Sequence, residues 1–298
     1  MPAVMPYLGE ILALVSGLFW AGAIILFKVT GRNVPPLGLN LFKNMLGVAL
    51  LTLTMLLAGQ AVLPRFGAGD YFLILASGAL GLGVSDTLYF FSLNALGASP
   101  ATVVAALYSP FTIILSLTLL GERLSPAQTV GVLLILAAVL IISYHKSEQP
   151  LPKKKLWMGI ALGVLAQLFT ALSIVMIKRR LEALPLLWAT NIRVAGGLIF
   201  LVPVIAFHPR RRGLILPLLR RSNWKVLVPA AVLGTYLSLL FWLGGMKYTQ
   251  ASIASALNQL NIVFVFLMAV LFLREKHAPL KTLAVVMAAA GAFLASAL

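Results

Sequence analysis

Among the 298 residues Asp86 is the one acid that falls well inside an apolar run of membrane-spanning length, and the whole chain holds only seven acids. A carboxylate at that depth costs several kcal/mol unless it is paired or wetted. Asp86 is therefore a candidate proton or cation site, although a structural hydrogen bond to a neighbouring helix or hydration near the membrane surface would also satisfy it. Tyr89 and Phe90 follow at three and four residues, which sets an aromatic wall on the same helical face.

Two cations lie about two turns inside other runs: Lys43, with Asn40 and Asn44 at helical spacing, and Arg193, with Thr190. Together they could bind an anionic group. They could equally snorkel to opposite interfaces or neutralise Asp86. Lys28 and Lys178, at the ends of runs, fit the interface.

Asn258 and Asn261 place two amides on one face, able to read a carboxylate, an ammonium or a hydroxyl, or to hold helices together. Gln259 points about 100° away and reads as packing. Trp20, Tyr236 and Trp242 could line a cavity, or could face lipid and neighbouring helices. Trp157, Trp188 and Trp224, near the ends of runs, fit the interfacial belt. Glu122 and Glu275 sit at run ends beside Arg123 and beside Arg274 and Lys276, where anchoring and loop geometry explain them.

The elements that must position these residues are membrane helices. The chain is 61% hydrophobic and 10% charged, with a mean hydropathy of +1.03, more apolar than water-soluble domains tolerate. Spanning runs fall at 8–28, 37–58, 71–95, 100–120, 126–144, 156–178, 186–207, 226–247, 251–273 and 279–297. Ser99-Pro100 and Ser125-Pro126 each put a capping hydroxyl before a proline suited to the first helical turn, which separates closely spaced spans. The first run lacks a charged leader and a cleavage site, so it reads as a helix and not as a signal peptide. The hydrophilic stretch 146–155 is a linker between units 1–145 and 156–298.

Those units repeat. At an offset of 150, Phe19 meets Phe169, Lys28 meets Lys178 and Lys43 meets Arg193. At an offset of 153, Ala98-Ser99 meets Ala251-Ser252, Glu122 meets Glu275, and Pro126 meets Pro279. With five spans per unit, the second unit must be inverted relative to the first, an architecture typical of secondary transporters. The expected fold is all-α, ten transmembrane helices as two inverted five-helix repeats. The halves differ at Asp86 against Leu239, Tyr108 against Asn261 and Ala105 against Asn258, and site chemistry is expected in those differences.

Other classes fit less well. No cysteine is present, so thiol chemistry and disulfides are excluded. His145, His208 and His277 fall in or beside loops, no HExxH or GxSxG pattern occurs, and no cofactor or metal motif is read, which argues against an enzyme. A filter-like loop of the kind a channel needs is not visible. The net charge of +16 comes from residues at the ends of apolar runs, so lipid headgroups, not nucleic acid, are the expected contacts.

The segment 93–142, with Gly97-Ala98-Ser99, Pro110, Gly121-Glu122 and Ser125-Pro126, resembles the EamA repeat of the drug/metabolite transporter superfamily. The second copy, 246–297, is looser: Val263 stands for the proline and Arg274 for the glycine. Lys43 also stands where the family commonly has arginine, which Arg193 keeps. The resemblance implies a central cavity surrounded by the first four helices of each half, with helices five and ten at the periphery. It implies a monomer or homodimer in a bacterial inner membrane, and with the inverted repeat the leading expectation is export of small metabolites such as amino acids by alternating access; Asp86, from its own placement, would couple protons or hold an ammonium. An exchanger of phosphorylated metabolites or nucleotide sugars is the alternative transporter, and a membrane scaffold the alternative of another class. The positive-inside rule and the resemblance oppose each other on sidedness. With both termini inside, as the resemblance implies, only six Lys/Arg face the cytoplasm and 15 face out.

Overall fold

The computed structural model describes residues 7–31, 33–96, 101, 104–143, 152–264, 267 and 279–295. Its helices correspond to the ten expected runs: α1 (Leu8–Thr30), α2 (Pro36–Leu57), α3 (Ala68–Leu96), α4 (Tyr108–Leu120), α5 (Pro126–Ser143), α6 (Lys153–Val175), α7 (Leu186–Ala206), α8 (Arg221–Tyr248), α9 (Ala251–Phe264) and α10 (Pro279–Ala295). Six of them, α1, α2, α3, α6, α7 and α8, are long and apolar enough to cross a bilayer; the described parts of the other four are shorter apolar helices. Two short helices were not expected, Lys178–Ala183 between α6 and α7 and, between α7 and α8, Arg211–Leu219. In the second, the buried Leu214 and Leu218 explain why that basic segment orders on the bundle.

Packing follows the duplication. α1 packs on α8 and α9, and α6 packs on α3 and α4, so each half lends one helix to two of the other half. The contacts themselves repeat: Ser85 Oγ donates to Ala166 O at 2.6 Å, and its equivalent Ser238 Oγ donates to Ser16 O at 3.1 Å. α5 and α10 form a peripheral pair. A Cβ on Gly131 would come within 2.4 Å of Ala295 N and 2.6 Å of Gly291 O, so glycine there lets the two backbones touch. At the start of α5, Gln128 N donates to Ser125 Oγ at 3.2 Å and Ser125 N to Gln128 Oε1 at 2.9 Å, the capping box that Ser125-Pro126 foreshadowed. The Ser99-Pro100 start lies outside the described residues.

Two local distortions also recur at the 153-residue offset. α3 is π-helical over Ala79–Ser85 and α8 over Val232–Ser238. In the first, Asp86 N reaches back five residues to Gly81 O, and Asn40 Nδ2 takes Leu82 O at 3.0 Å. Turns interrupt the fourth and ninth spans at 106–107 and 259–260. Pro110 has no N–H for Ala106 O. Gln259 Nε2 supplies it instead, at 3.2 Å, and also reaches Ala105 O at 3.3 Å.

Candidate functional site

The distorted segments border one cavity of about 470 Å³ between the halves, within the size range of small-molecule sites. The π turns aim Ser85, Asp86 and Tyr89 from α3 into it, and Thr235, Ser238, Leu239 and Trp242 from α8. The three differing pairs singled out in the sequence lie on its wall: Asp86 and Leu239, Tyr108 and Asn261, Ala105 and Asn258. Trp20 stands on the wall from α1. The cavity runs from Arg193 and Trp242 to Gly31 and Asn94, at the far ends of α1 and α3.

Its charges are unequally treated. Lys43 Nζ donates to Asp86 Oδ2 at 2.6 Å, with the lysine 3% exposed and the aspartate 22%. Of the roles open to Lys43, neutralising Asp86 is the one the geometry realises. Arg193 is 0% exposed, so it does not snorkel. Its Nη1 donates to Ser77 Oγ and, at 3.1 Å, to Ser173 O; Nη2 donates to Ser173 Oγ at 2.8 Å. The guanidinium also lies 5.3 Å from the ring centre of Trp242. Gly81 makes the room: a Cβ there would come within 2.7 Å of Arg193 Nη2. Trp242 Nε1 in turn donates to Tyr108 Oη at 3.1 Å, linking α8 to α4. Asn258 Nδ2 donates to Ser16 Oγ at 3.1 Å, which leaves its carbonyl for the cavity.

Several expectations need correction. Tyr236 is not on the wall: it follows Thr235 by one residue within the π turn, which places it on an adjacent face, and its hydroxyl is 2.7 Å from Thr54 Oγ1 on α2. Trp188 is not in an interfacial belt. It is 1% exposed, with Phe66 and Tyr71 edge-on at 4.7 and 5.0 Å. Lys178 is buried and paired with Glu182 instead of reaching solvent; the side chain of Lys28 lies outside the described residues. Gln259 bridges to the carbonyls of the broken fourth span and also reaches the cavity. Gln167, Thr170 and Asn94 were not foreseen on the wall; Gln167 and Thr170 share a face at three-residue spacing, which was the available signal. Among the described residues no group of three or more His, Asp or Glu comes together.

One end of the molecule is tied by polar contacts. The Glu122 carboxylate, just past α4, accepts from Ala251 N at 2.7 Å, Ser252 N at 3.1 Å and Ser252 Oγ at 2.5 Å. The expected loop anchor is a cap on the N-terminus of α9, supplied by the other half. Lys247, at the end of α8, donates to Leu181 O, Glu182 O and Leu184 O at 2.9, 2.8 and 2.5 Å. Glu275, the repeat counterpart of Glu122, lies outside the described residues.

The model of the EamA-like transporter family matches residues 7–144 and again 157–297. A solved crystal structure of a protein 22% identical, covering 96% of each chain, superposes with a TM-score of 0.79 and shows the same fold. No curated protein matches the sequence significantly. Two matched copies of one family model spanning nearly the whole chain establish that it belongs to the EamA-like transporter family, as a multi-pass membrane transporter of the drug/metabolite type.

Proposed function

We propose that the protein is a secondary transporter that carries a small amphipathic solute by alternating access between its two inverted halves. The observation that supports this reading most is the inequality of its two ends. Lys247 clamps three carbonyls of the connection at 181–184. Its repeat counterpart Asn94 and the counterpart connection, at Gly31 and Val34, instead line a small crevice next to the cavity. A clamp at one end and a crevice at its counterpart are consistent with one state of an inverted-repeat transporter. Exchange of those roles would expose the cavity to the opposite side. Asp86, held by Lys43, is the one carboxylate among the described cavity residues that could take a proton in the cycle.

Since the native chain has no cysteine, the double variant Glu122→Cys/Ser252→Cys can be bridged by a short bis-methanethiosulfonate, which joins the two thiols through reducible disulfides. Solute counterflow in proteoliposomes should stop on bridging and return on reduction. Counterflow at the unbridged rate with the bridge intact would sink the alternating-access reading. Transport with one pH profile in the native protein and in Asp86→Asn would remove proton coupling alone.

A further inference from the structure

We infer that the transported solute is an organic monoanion, whose carboxylate neutralises Arg193; this inference rests on the transport reading above. The first support is the charge balance. Three charged residues lie on the described cavity wall, Lys43, Asp86 and Arg193. Lys43 and Asp86 cancel at 2.6 Å. Arg193 has no carboxylate within 4 Å among the described residues. The repeat explains why: Lys43 corresponds to Arg193 at one offset and Asp86 to Leu239 at the other, so the second half keeps the cation and lacks its partner. Leu239 and Arg193 both reach the cavity. A net charge of one remains, in a site lined on several sides by apolar side chains such as Ile24 and Phe27.

An unpaired ion in low dielectric is unfavourable, and an incoming charge of opposite sign relieves it. Cationic solutes meet the reverse. A monoanion balances the site, whereas a phosphate dianion would leave it with an excess negative charge.

The second support is the donor count on the guanidinium. An arginine has five N–H groups. Nη1 uses both of its own on Ser77 and Ser173, and Nη2 uses one on Ser173 Oγ. The second N–H of Nη2 is left, and Nε is buried with no hydrogen-bond partner. Nε and Nη2 share one edge of the planar group, the fork that matches the two oxygens of a carboxylate. The Trp242 ring covers the guanidinium from 5.3 Å. Because Nε is buried, direct contact requires the side chains around that edge to give way, and a shift of the Trp242 ring would let a solute's apolar body pack on the indole and on Trp20 while its carboxylate reaches the fork.

The test uses four probes with a phenyl body: 3-phenylpropionate, 3-phenylpropionamide, 3-phenylpropylamine and phenyl phosphate. Binding to the purified full-length protein is read by thermal shift, and transport by counterflow in proteoliposomes. The carboxylate should bind at least about tenfold more tightly than the amide, the amine or the phosphate ester, which corresponds to about 1.4 kcal/mol. Arg193→Gln should abolish that preference, and Arg193→Lys should keep part of it. Because Arg193 holds α3 to α6 and α7, the glutamine variant could misfold, so Leu239→Asp supplies the second arm. It gives Arg193 the partner that Lys43 has, and the folded variant should lose its preference for the carboxylate. An amine, amide or phosphate ester that binds the native protein as tightly as the carboxylate would overturn the assignment. So would a Leu239→Asp variant that keeps the full preference. If the amine or amide is transported and the carboxylate is not, the anion assignment fails and the transport reading stands. If none of the four binds or crosses, both fail.

Discussion

The two ends of the molecule are built from equivalent parts and do different things. At one end, Lys247 donates to three carbonyls and Glu122 caps α9. At the other end, Asn94 stands where Lys247 would be and is exposed at the cavity mouth. A lysine can hold several carbonyls at once through three charged donors, while an amide offers two neutral ones. The duplication thus supplies two ends of one geometry held with unequal strength; on the transport reading proposed above they are two gates, of which the stronger is shut. Inside the cavity the same lesson recurs with charge: the first half pairs its cation with Asp86, and the second leaves Arg193 without an acid.

Removing the strong gate should have the largest effect. Lys247→Met takes a charged donor from three carbonyls, which should weaken the closed end by about 2–3 kcal/mol and shift the population toward opening there. Labelling rates of a cysteine introduced at Ser252 would rise accordingly. Glu122→Gln keeps the shape of the cap and loses its charge, so a smaller rise is expected, for about 1–2 kcal/mol. Gln259→Met leaves Ala106 O without its donor. That should lower thermal stability by about 1–2 kcal/mol and loosen the break in the fourth span, a change that counterflow would report as an altered rate. Tyr236→Phe sharpens the boundary of the site: it removes one contact to Thr54, costing about 1 kcal/mol of stability or less, and solute affinity measured by thermal shift should be unchanged.

Much of this was legible in the sequence because duplication writes itself twice. The offsets of 150 and 153 located the equivalent positions, and the three differing pairs read from them, Asp86 and Leu239, Tyr108 and Asn261, Ala105 and Asn258, all reach the cavity. Other features depend on what another helix brings. Glu122 looks like a loop residue until the inverted half places the α9 N-terminus against it. Trp188 follows the rule for a tryptophan near a helix end, yet Phe66 and Tyr71 from the α2–α3 side cover it. The π turns have only a glycine as a local sign, Gly81 and its counterpart Gly234, and a glycine alone does not specify the wider turn. Without those turns, helical periodicity cannot say that Thr235 faces the cavity and Tyr236 does not.

The central claim, that the two ends exchange roles, is tested most directly by paired distances in one preparation. Spin labels at Asn33 and Asn94 report the open end, and labels at Arg123 and Tyr248 report the closed one, all exposed positions. On adding a transported solute, double electron–electron resonance should show the first distance shortening as the second lengthens, with the two changes titrating together. Distances that stay fixed at both ends while solute is being transported, or that lengthen at both, would contradict the account.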